Sequence, residues 1–247
     1  MARLICICVL ALWCSMGTAT AAQPVRVGAY PFLPFVDGTT GLTADLIKEM
    51  NAFQKDYRFE MVSTSANRRY RDMANGLFTM VLFEHIKWGW DASAVVANKP
   101  FLVGDGEVYV ALRQPGRDQT YFDNLADKQL LVVLGYHYGF ADFEADQTLL
   151  QKRFRMVFSQ DNAISLRNLL AGRGDVAVIT KSYLARYLVQ RPEDRGELLI
   201  SERMDQSYAH TVLVKKGSKP TAQDMDALLA RMEAAGILKR LWSRYGM

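Results

Sequence analysis

The chain has 247 residues, half of them hydrophobic, with 30 lysines and arginines against 26 acidic residues and a formal net charge of +4. So mild and evenly spread a charge argues against a nucleic-acid binder, and the three histidines share no metal-ligand spacing. All three cysteines, Cys6, Cys8 and Cys14, fall near the start, so the rest of the chain can form neither a disulfide nor a thiolate zinc site.

Residues 1–22 read as an export signal. Arg3 is a short positive region, Leu4 to Met16 is an apolar run, and Ala19-Thr20-Ala21 or Thr20-Ala21-Ala22 offers small residues for cleavage. The run is too short to span a bilayer. The bulky Trp13 just before Cys14 argues against lipoprotein processing. About 225 residues then remain, enough for one large or two small domains.

Val25 to Ala29 is an apolar strand that empties into an aromatic, proline-rich turn, Tyr30-Pro31-Phe32-Leu33-Pro34-Phe35. Leu46, Ile47, Met50 and Phe53 then recur at helical spacing over residues 43–53, and Tyr57 to Val62 alternates as a strand. Arg68-Arg69-Tyr70-Arg71 is read as a helix start rather than a nucleic-acid patch, with Tyr70, Met73, Ala74 and Leu77 forming one helical face. Phe78 to Phe83 is a buried strand. This β-α-β-α-β order predicts a mostly parallel sheet with crossover helices.

Glu107 to Leu112 is a further strand, and a second unit of the same kind follows. Leu130 to Leu134 is a strand ending at Gly135, residues 140–154 have helical patterning, and Arg155 to Phe158 is a strand. Asp161 is placed to cap a helix carrying Leu166, Leu169 and Leu170. A strand Val176 to Thr180 and a helix with Tyr183, Leu184, Tyr187 and Leu188 come next. The chain closes with a strand Tyr208 to Lys215, a helix over 222–235 stopped by Gly236, and a short apolar helix. The last apolar faces need cover, which predicts that they pack back on the first unit. Chain crossings near 111–114 and 208–213 would then join two lobes across a ligand cleft.

Four stretches in this order resemble the family 3 extracellular solute-binding proteins, the polar amino-acid type that serves ABC importers. They are the opening segment from Val25 to Ile47, Phe122-Asp123-Asn124-Leu125-Ala126-Asp127-Lys128, Leu170 to Ala177, and Gly236-Ile237-Leu238-Lys239-Arg240-Leu241-Trp242. The resemblance implies an α/β fold, a two-lobed type II periplasmic binding protein with a hinge. Lobe 1 would be residues 23–111 plus 214–247, and lobe 2 residues 112–213 with the hinge strands. The ligand motifs depart from the family. Its Thr-x-x-Arg carboxylate clamp is replaced by Phe83-Glu84-His85-Ile86-Lys87-Trp88-Gly89-Trp90-Asp91, and its acidic ammonium partner by Thr180-Lys181.

Candidate ligand-binding residues are therefore Tyr30 and Phe32 at the first strand's end, Arg69 at a neighbouring junction, and Glu84, Trp88 and Asp91 in the rebuilt segment. Tyr136 and His137, in Gly135-Tyr136-His137-Tyr138-Gly139, and Thr180 join them from the second unit. Glu84 ends a buried strand and needs a partner: Arg68, Arg69 or Lys87, or else the ligand. Glu84, Asp91 and the aromatic rings suit an ammonium or guanidinium group. The expected function is periplasmic capture of a small polar, amine-bearing, amino-acid-like metabolite for an ABC permease in the inner membrane. The expected form is a non-catalytic monomer with no cofactor, no metal and no nucleic-acid partner. Two alternatives stand beside it. One is a cyclohexadienyl dehydratase-like enzyme using Glu84 and His137; the other is a ligand-sensing partner of a membrane receptor.

Overall fold

The computed structural model describes residues 21–247, and the export-signal reading falls, but for Ala21 and Ala22, outside the described residues. The first unit runs β1 (Gln23–Ala29), α1 (Leu42–Phe53), β2 (Tyr57–Ser63), α2 (Arg69–Ala74), β3 (Met80–Glu84), β4 (Val95–Ala97) and β5 (Leu102–Leu112). The second runs β6 (Gln129–Val133), α3 (Gln147–Arg153), β7 (Arg155–Ser159), α4 (Asn162–Leu170), β8 (Val176–Thr180) and α5 (Lys181–Gln190). The long β9 (Leu198–Lys215), α6 (Ala222–Ala234) and α7 (Ile237–Arg244) complete the chain.

Two sheets result. In the first, β2, β1 and β3 are parallel, and β9 joins antiparallel to β3 and β4. In the second, β7, β6 and β8 are parallel, and β5 is antiparallel to β8. The ladder is continuous from one sheet to the other only because β5 and β9, the two crossing strands, pair with each other. β5 changes sheet where its register shifts between Val103 and Gly106; from Glu107 on it pairs with β8. Glycine serves the crossing directly: a Cβ on Gly106 would sit 2.2 Å from the Gln206 carbonyl oxygen.

The closing helices pack on the first unit, with Met225, Leu228, Leu229, Met232, Leu238 and Leu241 buried in the same core as β1 and β3. A capping box starts α6: the Asp224 N–H donates to Thr221 Oγ1, and the Thr221 N–H donates to Asp224 Oδ2. In the second unit, Leu166, Leu169, Leu184 and Leu188 bury one face of α4 and α5 against Val108, Val110 and Ile179. Asp161 does cap α4, accepting the Ile164 N–H at 2.8 Å.

One helix differs from the sequence expectation. Residues 140–154 are not one helix but a single 3-10 turn at Gly139–Ala141 and the short α3. Asp142 and Phe143 take left-handed φ of 58° and 62°, and Asp146 restarts the helix by accepting the Leu149 N–H. The break has a use, because the Phe143 carbonyl is thereby free to bind His137.

Candidate ligand site between the lobes

β3 delivers the first charged group. Its register against β9 shifts between Val81 and Glu84, and Phe83 takes a φ of 57°. A phenylalanine held in the left-handed region costs about 1–3 kcal/mol, tolerated only where the surroundings enforce it. Here Phe83 is wedged among Phe35, Phe101, His210 and Trp242. Glu84, next in sequence, is fully buried.

α2 supplies the counter-charge. Arg69 is 1% exposed, and its Nε lies 3.1 Å from Glu84 Oε1. Both atoms lack a well-angled hydrogen bond, so the contact is an ion pair rather than a linear donor–acceptor bond. The guanidinium donates to the carbonyls of Ala66, Trp88 and Gly135, the last from the second lobe. It also stacks 4.7 Å from the Tyr30 ring and 4.4 Å from the Tyr70 ring. Glu84 accepts the Trp90 indole N–H at 3.1 Å and the His85 N–H at 3.3 Å. Burial pushes the Glu84 carboxyl up, and Arg69 pulls it back. The guanidinium is always charged, so this pair is held as an ion pair.

The second lobe presents its face through the turn after β6 and through β5 and β9. Gly135 is left-handed, at φ 79°, and a Cβ there would fall 2.2 Å from Asn67 Oδ1 of the first lobe. Asp205 fixes the turn by accepting the Gly139 and Phe140 N–H groups. Gln206 links the lobes: Oε1 accepts the Trp88 indole N–H at 3.0 Å, while Nε2 donates to Glu107 Oε2 at 2.6 Å and to the His137 carbonyl. Tyr136 Oη donates to the Pro31 carbonyl across the cleft at 3.0 Å. His137 places Nδ1 2.6 Å from the Phe143 carbonyl and Nε2 2.7 Å from Tyr70 Oη. Burial lowers its pKa to about 4, so the neutral ring donates from Nδ1 and accepts at Nε2.

These residues close on a small cavity of about 10 Å³ lined by both lobes, room for about one water in this arrangement. Of the residues singled out from the sequence, Tyr30, Phe32, Arg69, Trp88, Tyr136 and His137 line it. Glu84 stands behind Arg69 rather than on the wall. Thr180 is fully buried and accepts the Asn162 Nδ2–H at 2.7 Å, off the cavity wall. Asp91 is an exposed loop residue whose carboxylate accepts the Ser93 N–H at 2.7 Å, outside the cavity. Tight backbone turning at Gly89 carries the chain past the cleft before Asp91 is reached.

Glu107, Gln206 and Tyr208 also line the cavity and were not singled out in the sequence. The signal was there for Glu107, an acid inside an otherwise apolar strand. Glu107 is 1% exposed, and burial pushes its carboxyl well up, helped by the like charges of Asp205 and Asp105.

No protein-family model matches the chain, and no curated protein matches it. Solved structures do. The P235GK mutant of an arginine-binding protein from T. maritima is 18% identical, with a TM-score of 0.68 over 90% of this chain and 95% of that one. An arginine transport-system periplasmic binding protein from Legionella pneumophila is 15% identical, with a TM-score of 0.67 over 91% of this chain and 100% of that one. AncCDT-1, an ancestral amino acid-binding protein and precursor of cyclohexadienyl dehydratase, is 16% identical at 0.68 over 90% and 95%. At these identities the likeness is one of fold, and the chain has the two-lobed α/β fold of the type II periplasmic binding proteins.

Proposed function

We propose that this chain is a periplasmic solute-binding protein that captures a small polar, amine-bearing metabolite between its lobes for an ABC importer. One observation carries the reading: a single cavity receives a buried cation from one lobe, Arg69, and a buried carboxylate from the other, Glu107, between aromatic walls. Charges are buried at a lobe interface at considerable cost, and a ligand site is the economical reason for it. The fold supports the reading, since proteins of the same architecture include arginine binders and transport components. So does the sequence of residues 1–22, whose pattern is that of an export signal.

The same reading assigns the first lobe to residues up to about 103 and from about 210, and the second to the segment between, following the strand pairings. Tyr30, Phe32, Arg69, Trp88, Tyr136 and His137 become wall residues with Glu107, Gln206 and Tyr208, while Glu84 acts through Arg69. A catalytic reading fits less well. Both ring nitrogens of His137 are engaged by Phe143 and Tyr70, which leaves neither aimed into the cavity as an acid or base.

Closure is the test. A ligand that touches both lobes favours the closed arrangement by its differential affinity. Small-angle scattering with a panel of amines and amino acids should find at least one that shrinks the radius of gyration at saturation. A radius unchanged by every compound that calorimetry shows to bind would refute the cleft as the site.

A further inference from the structure

Two buried carboxylates belong to this site, and only one has a counter-charge. Glu84 is neutralised by Arg69. Arg69 in turn spends its N–H groups on that pair and on the carbonyls of Ala66, Trp88 and Gly135, so it is poorly free to clamp a ligand carboxylate. Glu107 has no such partner. Gln206 donates a neutral hydrogen bond to it at 2.6 Å, and the charges that act on it most, Asp205 and Asp105, are both negative. Around it stand the rings of Tyr30, Phe32, Trp88, Tyr136 and Tyr208 on the same cavity. Phe32 meets Tyr136 edge-on at 5.5 Å and Trp88 meets Tyr208 at 5.2 Å, so the rings form one packed box. Aromatic faces attract cations and offer nothing to a carboxylate.

Resting on the solute-binding reading above, we propose that the ligand is a small organic ammonium without a carboxylate, and that Glu107 is its counter-ion. The ligand supplies the positive charge that the buried site lacks. A carboxylate on the same molecule would meet no free cation. This separates the chain from the arginine binders whose fold it shares.

Matched pairs test the idea: glycine against methylamine, alanine against ethylamine, and serine against ethanolamine, each titrated by calorimetry into the wild-type protein at neutral pH. Every pair differs by the carboxylate alone. At least one amine should bind at least tenfold more tightly than its amino acid. Glu107→Gln should lower that affinity at least tenfold, yet the empty variant should melt no lower than wild type. An amino acid that binds as well as its amine, or a Glu107→Gln variant with unchanged amine affinity, overturns the ammonium assignment and leaves solute binding intact. Failure of all six compounds overturns the ammonium assignment too, whereas the solute-binding reading falls only if the wider scattering panel also fails.

Discussion

Glu107 lines the cavity from the second lobe while Glu84 stands behind Arg69 in the first, and the contrast between them carries the account. Glu84 sits at a kinked strand end with Arg69 beside it at 3.1 Å. Glu107 sits inside β5 with only neutral donors. A buried ion pair is a closed unit: removing either half strands the other. A buried carboxylate without a cation is an open one, costly in the empty protein and relieved by whatever brings positive charge. Burial alone therefore does not tell a structural acid from a binding acid. The presence of a counter-charge does.

The largest effect should follow from opening the closed unit. Arg69→Leu leaves Glu84 buried and unpaired, for a loss of about 3–5 kcal/mol, or a thermal midpoint lower by about 10 °C or more. A loss under 1 kcal/mol in chemical denaturation would mean that the pair is solvated in solution.

The same substitution should then act with opposite sign on the two acids. Glu84→Gln strands the guanidinium and should cost about 2–4 kcal/mol. Glu107→Gln should stabilise the empty protein by about 1–2 kcal/mol. The sign follows from linkage: a carboxyl whose folded pKa is raised contributes stability below its unfolded pKa, and that contribution fades as pH rises through the shifted range. Denaturation curves for the two variants at pH 7 that shift in the same direction would erase the distinction.

A smaller effect comes from His210, fully buried among Phe32, Phe35, Phe83 and Tyr208. Burial holds its pKa down at about 3. The unfolded chain takes up this proton near pH 6.5 and the native chain does not, so its contribution is present above pH 6.5 and is lost as pH falls toward 3. A His210→Gln variant lacks that loss. Its gap in melting temperature below wild type should narrow between pH 7 and pH 4; a constant gap would show that His210 does not titrate on unfolding.

Much of the fold was legible because periodicity is local. The alternating and helical patterns of residues 25–62 and 222–245 need no distant information, and the structure follows them. The site was legible in part. Tyr30, Phe32 and Tyr136 sit at strand ends, where an α/β architecture opens toward ligands. Which of Arg68, Arg69 and Lys87 meets Glu84 could not be read, because a strand kinked at Phe83 aims its next side chain in a direction that alternation does not give. Glu107 was hidden by its own neighbours. Val108, Tyr109 and Val110 made it read as the start of an ordinary strand, and only the pairing of β5 with β9 brings it beside Gln206. Asp91 shows the converse, an acid beside two tryptophans in sequence that the left-handed turn at Gly89 leaves at the surface.

The central claim is that Arg69 is already satisfied and Glu107 is not. A crystal structure of the protein with ethanolamine tests it most directly. The account predicts the ammonium nitrogen about 3 Å from a Glu107 oxygen, flanked by the rings of Trp88 and Tyr208, with the Arg69–Glu84 pair intact. An ammonium bound at Glu84, with Arg69 drawn away from it, would contradict the account.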